Sequence, residues 1–296
     1  MKKLIFTIAF ISWGINCFSQ TVQSYLDSAN MVMVLGDTMK IHYLNKAINL
    51  QPNNPELYSK RAYIKQHTRT PDGKKIDHEG AIRDLTEAIK LDSKNSYYYR
   101  ERALNKFRIS NYSGAIIDIS KAIEISPENA YYYDLRGGYK EKKNDFYGAL
   151  SDYTKAIQLA PETCEYYESR GNLYLDLEKF EKAITDYSKG ISIAKTSNCF
   201  YNSEKIKKHF LSRIYNNRAF CKYVVDDLFG CISDCNMVIT LSNDLPSYFS
   251  SKDVALIYIG LSKIELGKKE EGCLSLSKAG ELGNEQAFEY IKEYCQ

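Results

Sequence analysis

The feature that most constrains this chain is a repeat with a period of 34 residues. Alanines recur at this interval at Ala81, Ala115, Ala149 and Ala183, and a second series follows seven residues behind them at Ala88, Ala122, Ala156 and Gly190. Arginines recur at Arg102, Arg136 and Arg170. A fixed period of this length is typical of arrays of helix pairs, in which each unit packs on its neighbours.

Each unit contains two apolar helical patterns separated by a polar turn. In the unit from Ser96 to Asn129, Tyr99, Ala103 and Phe107 are four residues apart and predict the buried stripe of a first helix. Ala115 and the apolar residues that follow it predict a second helix, with the turn at Ser110 and Asn111. Small residues at the alanine positions allow close helix contact. We expect the second helix to lie on the outside, with Asp118 and Lys121 on its surface.

These residues resemble the tetratricopeptide repeat family. The resemblance rests on an aromatic, an Arg-Gly pair, two small residues and a proline at matching positions, as in Tyr133, Arg136, Gly137, Phe146, Ala149, Tyr153, Ala156 and Pro161. It implies an all-α, right-handed superhelical solenoid of helix-turn-helix repeats with a C-terminal capping helix. It departs from the family pattern at Lys140, in place of tyrosine, and at Lys195, in place of proline.

The resemblance also implies a partner-binding groove lined by the first helices. The family's groove positions correspond here to Tyr97, Arg100, Leu104, Phe107, Arg108, Tyr131, Asp134, Glu141, Glu165, Glu168 and Asn172. The lysine-asparagine clamp of chaperone-binding members is absent at these positions. Tyrosine and arginine are frequent in binding hot spots, so the set from Tyr97 to Arg108 is the favoured patch.

The domain organisation follows from the repeat register. We predict a signal peptide at 1–19, an array of about seven helix pairs at 20–283, and a capping helix at 284–296. Extra residues make the array irregular at 69–76, 195–210 and 242–253. The first of these insertions is bracketed by His67 and His78, which could flank a ligand, although surface histidines are the simpler interpretation.

The N-terminal residues have the pattern of a secretory leader. Lys2 and Lys3 precede an apolar run from Leu4 to Ile15, and Cys17 and Ser19 have cleavage-site spacing. The run is shorter than the roughly 20 residues of a spanning helix. We therefore expect export to the periplasm or the exterior of a bacterial cell, with the mature chain starting at Gln20. Lipid anchoring through Cys17 is the disfavoured alternative, because Gly14, Ile15 and Asn16 match a lipobox poorly.

Composition and motifs argue against several other functions. The net charge is +3 with both signs interspersed, so no basic field for nucleic acid is expected. The four histidines are scattered, and no metal or nucleophile signature accompanies them. The sequence thus predicts no enzyme activity, no catalytic residues, no metal and no cofactor.

Cysteines are expected mainly as buried thiols. Cys231 and Cys235 take core positions of the repeat, and Cys221 lies on the preceding predicted helix. Cys164 and Cys199, at repeat edges, are the pair to test for a disulfide.

The favoured function is a non-catalytic scaffold or adaptor that binds another protein or a peptide segment in the groove. Two alternatives stay open: a self-associating structural subunit of an envelope assembly, and an accessory ligand-binding module at the loop from His67 to His78. The partner's identity and the oligomeric state are not encoded in any motif.

Overall fold

The computed structural model describes residues 23–27, 37–67, 76–196, 203–243 and 251–296. The predicted leader and the predicted insertions between 69 and 75 lie outside the described residues, as does Cys199. Fourteen helices with defined bounds lie within the described part of the chain, which contains no β-strand. They are α1 Asp37–Leu50, α2 Pro55–His67, α3 His78–Leu91, α4 Ser96–Arg108, α5 Tyr112–Ile125, α6 Ala130–Glu141, α7 Phe146–Leu159, α8 Cys164–Asp176, α9 Phe180–Thr196, α10 Glu204–Val224, α11 Leu228–Ser242, α12 Lys252–Glu265, α13 Lys269–Glu281 and α14 Glu285–Tyr294.

The helices form two compact units, Met1–Lys143 and Asn144–Gln296. In the first unit, α1 to α6 pack consecutively, each helix against the next. In the second unit, α7 to α14 do the same. Consecutive packing of helices in the absence of strands confirms the predicted class, an all-α solenoid of helical repeats.

The starts of the second helices are determined by a local cap. Asp77, Asn111, Asp145 and Asp227 each accept a hydrogen bond from the backbone N–H of a glycine three residues later. Such a cap satisfies one of the amide groups that the first turn of a helix leaves unpaired. A Cβ atom on Gly80 would lie 2.0 Å from the Asp77 carboxylate, so a larger residue there would displace the capping side chain.

The turns before four of the second helices use a left-handed residue. Ser110, Asn144, Glu178 and Asp226 have φ angles of 62°, 61°, 55° and 65°. Glycine occupies the equivalent turns at Gly267 and Gly283, before α13 and α14. Ser110 and Glu178 are residue types that this conformation disfavours, whereas Asn and Asp adopt it more readily.

The anchor alanines lie in the core of the helix pairs. Ala81, Ala115, Ala149 and Ala183 are fully buried, and so are Ala88, Ala122 and Ala156. Tyrosines fill the remaining space; in the second unit the Tyr187 ring packs so closely that a Cβ on Gly171 would lie 2.8 Å from it. This burial agrees with the register read from the period.

Four of the helix pairs are also joined by a buried ion pair between arginine and aspartate. Arg102 donates to both carboxylate oxygens of Asp118, at 2.8 and 2.7 Å. Arg170 and Arg218 hold Asp186 and Asp234 in the same bidentate geometry. The third arginine nitrogen reaches back to the preceding pair, as from Arg102 to the Thr86 hydroxyl at 3.1 Å. The arginine therefore connects three helices.

This ion pair corrects the expectation for Asp118. Only 2% of Asp118 is exposed, and its carboxylate also receives the Lys106 ammonium at 2.7 Å, so it lies between the helices and not on the outer surface. Lys121 is on the surface, as expected, and pairs with Glu124.

The last helix is attached covalently. A disulfide joins Cys273 on α13 to Cys295, the residue that ends α14. Cys221, Cys231 and Cys235 are free and buried, which agrees with their interpretation as core thiols. Cys164 is buried as well. Burial raises the pKa of the Cys221 thiol to about 12.

Candidate functional site

Three exposed tyrosines on the first helices of unit 1 form what we term the tyrosine face: Tyr63 on α2, Tyr97 on α4 and Tyr131 on α6. Their exposed fractions are 55%, 37% and 46%. Tyrosine is intermediate in average burial and is enriched at interfaces, so three exposed tyrosines in one unit form an informative surface. Tyr97 and Tyr131 belong to the predicted groove set; Tyr63 does not.

Tyr63 could have been found from the sequence. The repeat that contains it is 41 residues ahead of the next one, because of the seven inserted residues, and this offset aligns Tyr63 with the groove position of Leu104. The same offset aligns His67 with Arg108. The regular period of 34 does not give the groove positions of this repeat, because its offset is 41.

Arg100 lies at the centre of the tyrosine face. Its guanidinium carbon is 4.7 Å from the centroid of the Tyr97 ring, within the range of a cation–π interaction. Arg100 also forms an ion pair with the buried Glu101. Partial burial raises the pKa of the Tyr131 hydroxyl while the charge of Arg100 lowers it, so the two groups are close. At neutral pH both tyrosines present protonated hydroxyl groups.

A cavity of about 330 Å³ opens beside Tyr97. Apolar side chains of Leu26, Leu44 and Ile64 line it, together with Tyr63 and Tyr97, and the ammonium-bearing chains of Lys40 and Lys60 contribute to its wall. An apolar pocket with a few polar groups is the usual form of a ligand or anchor-residue site.

The three other predicted residues of α4 differ in role. Leu104 is half-buried and lines a second cavity, together with the exposed Arg108. Phe107 is a core residue: its ring stacks on Tyr139 at a centroid distance of 4.8 Å and also contacts Tyr112 at 5.4 Å. The expectation that Phe107 offers area to a partner is corrected, because that area is already used in packing.

The predicted acidic residues are also engaged. Asp134 and Glu141 are half-buried on α6, and neither is a free carboxylate. In the second unit, Glu168 is 6% exposed and accepts two hydrogen bonds from Arg213, at 2.6 and 2.7 Å. Glu168 therefore joins α8 to α10, which corrects its assignment as a partner contact.

The remaining predicted residues of unit 2 also form hydrogen bonds within the unit. The side-chain oxygen of Asn172 accepts hydrogen bonds from the Tyr187 hydroxyl and from Asn217, at 2.8 and 3.1 Å. Glu165 accepts a hydrogen bond from the Cys164 thiol at 3.3 Å. The exposed, partner-accessible part of the predicted set thus lies in unit 1.

Within the described ranges, no three His, Cys, Asp or Glu residues are arranged to hold a metal ion. None of the described helices is both long enough and apolar enough to cross a membrane. The side chains along α2, α4 and α6 expose aromatic rings, hydroxyl groups and guanidinium groups, which are suited to recognition of a polypeptide.

Comparisons with known proteins agree with the helix-pair architecture. A sequence model of the tetratricopeptide repeat family matches residues 165–197, which correspond to α8 and α9. A tetratricopeptide repeat protein from Parabacteroides merdae ATCC 43184 is 17% identical, with a TM-score of 0.59, over 93% of this chain and 97% of that one. No curated protein sequence matches.

Two further solved structures are similar. YrrB, described as a TPR protein with an unusual peptide-binding site, is 16% identical with a TM-score of 0.56, over 71% of this chain and 97% of its own. Yeast Tom70 is 18% identical with a TM-score of 0.52, over 94% of this chain and 58% of its own.

The helix pairs and their buried small residues define the class: an all-α helical-repeat solenoid. Within that class, residues 165–197 match the tetratricopeptide repeat family, and the fold is similar to those of solved tetratricopeptide repeat proteins.

Proposed function

We propose that this protein is a non-catalytic interaction scaffold that binds a segment of another protein on the tyrosine face of unit 1. The observation that carries the proposal is the exposure of Tyr63, Tyr97 and Tyr131 on successive first helices. Aromatic rings provide large contact area with few rotatable bonds, so ordering them on binding costs little conformational entropy.

The charges near this face indicate the character of the partner. Arg100, Arg108 and Lys60 lie on the same helices, whereas the carboxylate of Glu101 is buried and already paired. An excess of accessible cations favours an acidic partner segment, mainly by increasing specificity and association rate. The cavity beside Tyr97 has room for an apolar side chain of that segment.

The test replaces all three tyrosines by serine and measures affinity for a partner captured from envelope extract. Loss of hot-spot aromatics should weaken binding by at least about 2 kcal/mol. The matched control replaces Ile117 and Tyr147, which are 69% and 82% exposed on second helices, and should leave the affinity unchanged. Equal binding by the triple variant, with unaltered helicity, would assign the interaction to another surface.

We also propose that the chain is exported to the periplasm or beyond. The pattern from Lys2 to Ser19 supports this, and the disulfide between Cys273 and Cys295 supports it independently, since such bonds persist in oxidising compartments. Lipid attachment at Cys17 is the alternative that mass measurement would detect.

A further inference from the structure

A second cavity, of about 390 Å³, lies in unit 1 where α2, α3 and α4 meet. Its wall includes Gln66, His67, His78, Leu104, Asn105 and Arg108. The cavity adjoins the tyrosine face, because the ring of His67 lies 4.3 Å from the ring of Tyr63, centroid to centroid. It brings together the two histidines that bracket the inserted loop.

A buried chain of hydrogen bonds fixes the orientation of His78. The Glu101 carboxylate can only accept, so the Gln66 amide nitrogen donates to it, at 2.8 Å. The Gln66 oxygen then faces the Asn105 amide nitrogen, whose second hydrogen goes to the Glu101 carbonyl oxygen at 2.9 Å. The Asn105 oxygen is left as an acceptor, 2.9 Å from Nδ1 of His78.

Nδ1 of His78 must therefore carry a proton and donate it to Asn105. His67 is held in the same way, because its Nδ1 lies 2.7 Å from the backbone carbonyl oxygen of Tyr63, which can only accept. In both neutral rings, Nε2 remains as a hydrogen-bond acceptor that this network does not use. Asn105 is 1% exposed, so the network that sets the His78 tautomer is shielded from water.

Arg108 adds a guanidinium cation beside the two histidine acceptors. It is exposed, and it takes part in no ion pair or hydrogen bond with any other residue in the described part of the chain. It lies eleven residues after Tyr97 on α4, which places it on the same helix face. A guanidinium group binds a carboxylate through two parallel hydrogen bonds.

From this arrangement we infer that the cavity receives an acidic residue of the bound segment, with its carboxylate on Arg108 and its backbone N–H on Nε2 of His78 or His67. The inference rests on the proposed function and names the residue class that the partner must carry. A bare metal ion would be opposed by the charge of Arg108, and a phosphate has no backbone N–H to donate to Nε2 of either histidine.

Small probes test this site without the partner. The full chain, labelled with ¹³C and ¹⁵N in histidine, is titrated with N-acetylglycine, which mimics a chain terminus, and with N-acetylglutamate N-methylamide, which mimics an internal glutamate. We expect saturable shifts of the His67 and His78 ring signals with at least one probe, and His209, in the other unit, serves as an internal reference. The stronger of the two probes identifies the source of the carboxylate.

The control probes and variants separate this site from nonspecific effects. N-acetylglycine amide, which lacks the carboxylate, should cause no saturable shift. Arg108→Gln should lower the binding affinity of the carboxylate probes about ten-fold or more. Arg83→Gln, an exposed arginine of α3 outside the cavity, should leave their affinity unchanged.

Three results would overturn the inference: equal shifts with the uncharged amide, tighter binding of inorganic phosphate than of either carboxylate probe, or stoichiometric Zn²⁺ binding to both histidines. Because these readouts need no protein partner, failure here leaves the tyrosine-face experiment intact. Conversely, probe binding would stand even if the tyrosine variants retained their partner.

Discussion

At the scale of single residues, the aspartate of each helix pair is the most informative position in this chain. Asp84, Asp118, Asp152 and Asp186 share the period of 34, as the alanines do. The alanine series indicates close packing, whereas the role of the aspartates is visible only from their contacts with arginine, which lies 16 residues earlier for Asp118 and Asp186 and 23 residues earlier for Asp84. A buried ion pair is weak evidence for net stability, but removal of one partner leaves the other charge uncompensated.

We therefore predict that Asp118→Asn lowers the free energy of unfolding by about 3–5 kcal/mol, since Arg102 and Lys106 lose their shared counter-charge. Side chains of these two cations are only 16% and 19% exposed, so water replaces the carboxylate poorly. Urea denaturation followed by circular dichroism measures the change. Lys121→Gln, on the exposed face of the same helix, should leave the midpoint unchanged; a small effect at Asp118 would mean that water solvates both cations.

Substitution of Glu178 is expected to raise the free energy of unfolding. Its φ of 55° is in the left-handed region, and its side chain is exposed in the turn before α9. Glycine adopts this conformation without the steric cost that a Cβ atom imposes. The resulting gain in stability is partly offset, because glycine has greater conformational freedom in the unfolded chain. Glu178→Gly should therefore stabilise the protein by about 0.5–1 kcal/mol. Glu178→Ala retains the Cβ atom and should give no such gain; equal melting temperatures for the two variants would contradict this account.

At the scale of helices, small residues determine how closely a pair can approach. Ala149 is fully buried beside Tyr153 and Leu173. Leucine at this position would overfill the contact, and we predict a loss of about 1–3 kcal/mol, measured by denaturant unfolding. Hydrogen exchange should show the damage first in α7 and α8, because the repeats couple through neighbours. Uniform loss of protection over the whole chain would argue against that coupling.

The attachment of the capping helix α14 depends on a disulfide and not on small residues. The disulfide closes a segment with a sequence separation of 22 between Cys273 and Cys295. Cys295→Ser should cost about 3 kcal/mol by the loop-entropy estimate and should speed amide exchange in α14. Dithiothreitol should reproduce the effect in the wild type and do nothing further to the variant. Unchanged exchange in α14 would show that Ala287 and its apolar neighbours hold the helix unaided.

These elements also show what could be read from sequence. The period and the buried alanines were sufficient for the helix pairs, because each unit repeats the same local packing problem. Tyr97, Arg100 and Tyr131 of the predicted groove set are at least partly exposed in the fold, but a register assigns a helix face and not a hydrogen-bond partner. Phe107, Glu168 and Asn172 face neighbours that only the folded chain supplies. The hydrogen-bonded network of His78, Asn105, Gln66 and Glu101 has no local signal, because its members come from three helices.

At the scale of the whole molecule, the cysteines connect compartment to stability. Seven of the eight cysteines follow the predicted cleavage site. Four of them, Cys164, Cys221, Cys231 and Cys235, are buried thiols, and two form the disulfide. Burial keeps the thiols from reacting even where oxidation is favoured, so an oxidising compartment is compatible with this mixture. A reducing compartment would instead open the bond that secures α14.

The last prediction follows from that difference. If the chain is exported, its intact mass should correspond to a start at Gln20 and to one disulfide linking Cys273 and Cys295, as mapped by peptide mass spectrometry without reduction. Deletion of residues 1–19 should retain the chain in the cytoplasm with both of these cysteines reduced, and α14 should then exchange its amide hydrogens faster than in the exported protein. A lipidated start at Cys17 would replace the cleavage assignment while preserving export. A native cytoplasmic chain that begins at Met1 would refute export, and the disulfide would then have to form without the oxidising compartment that we propose for it.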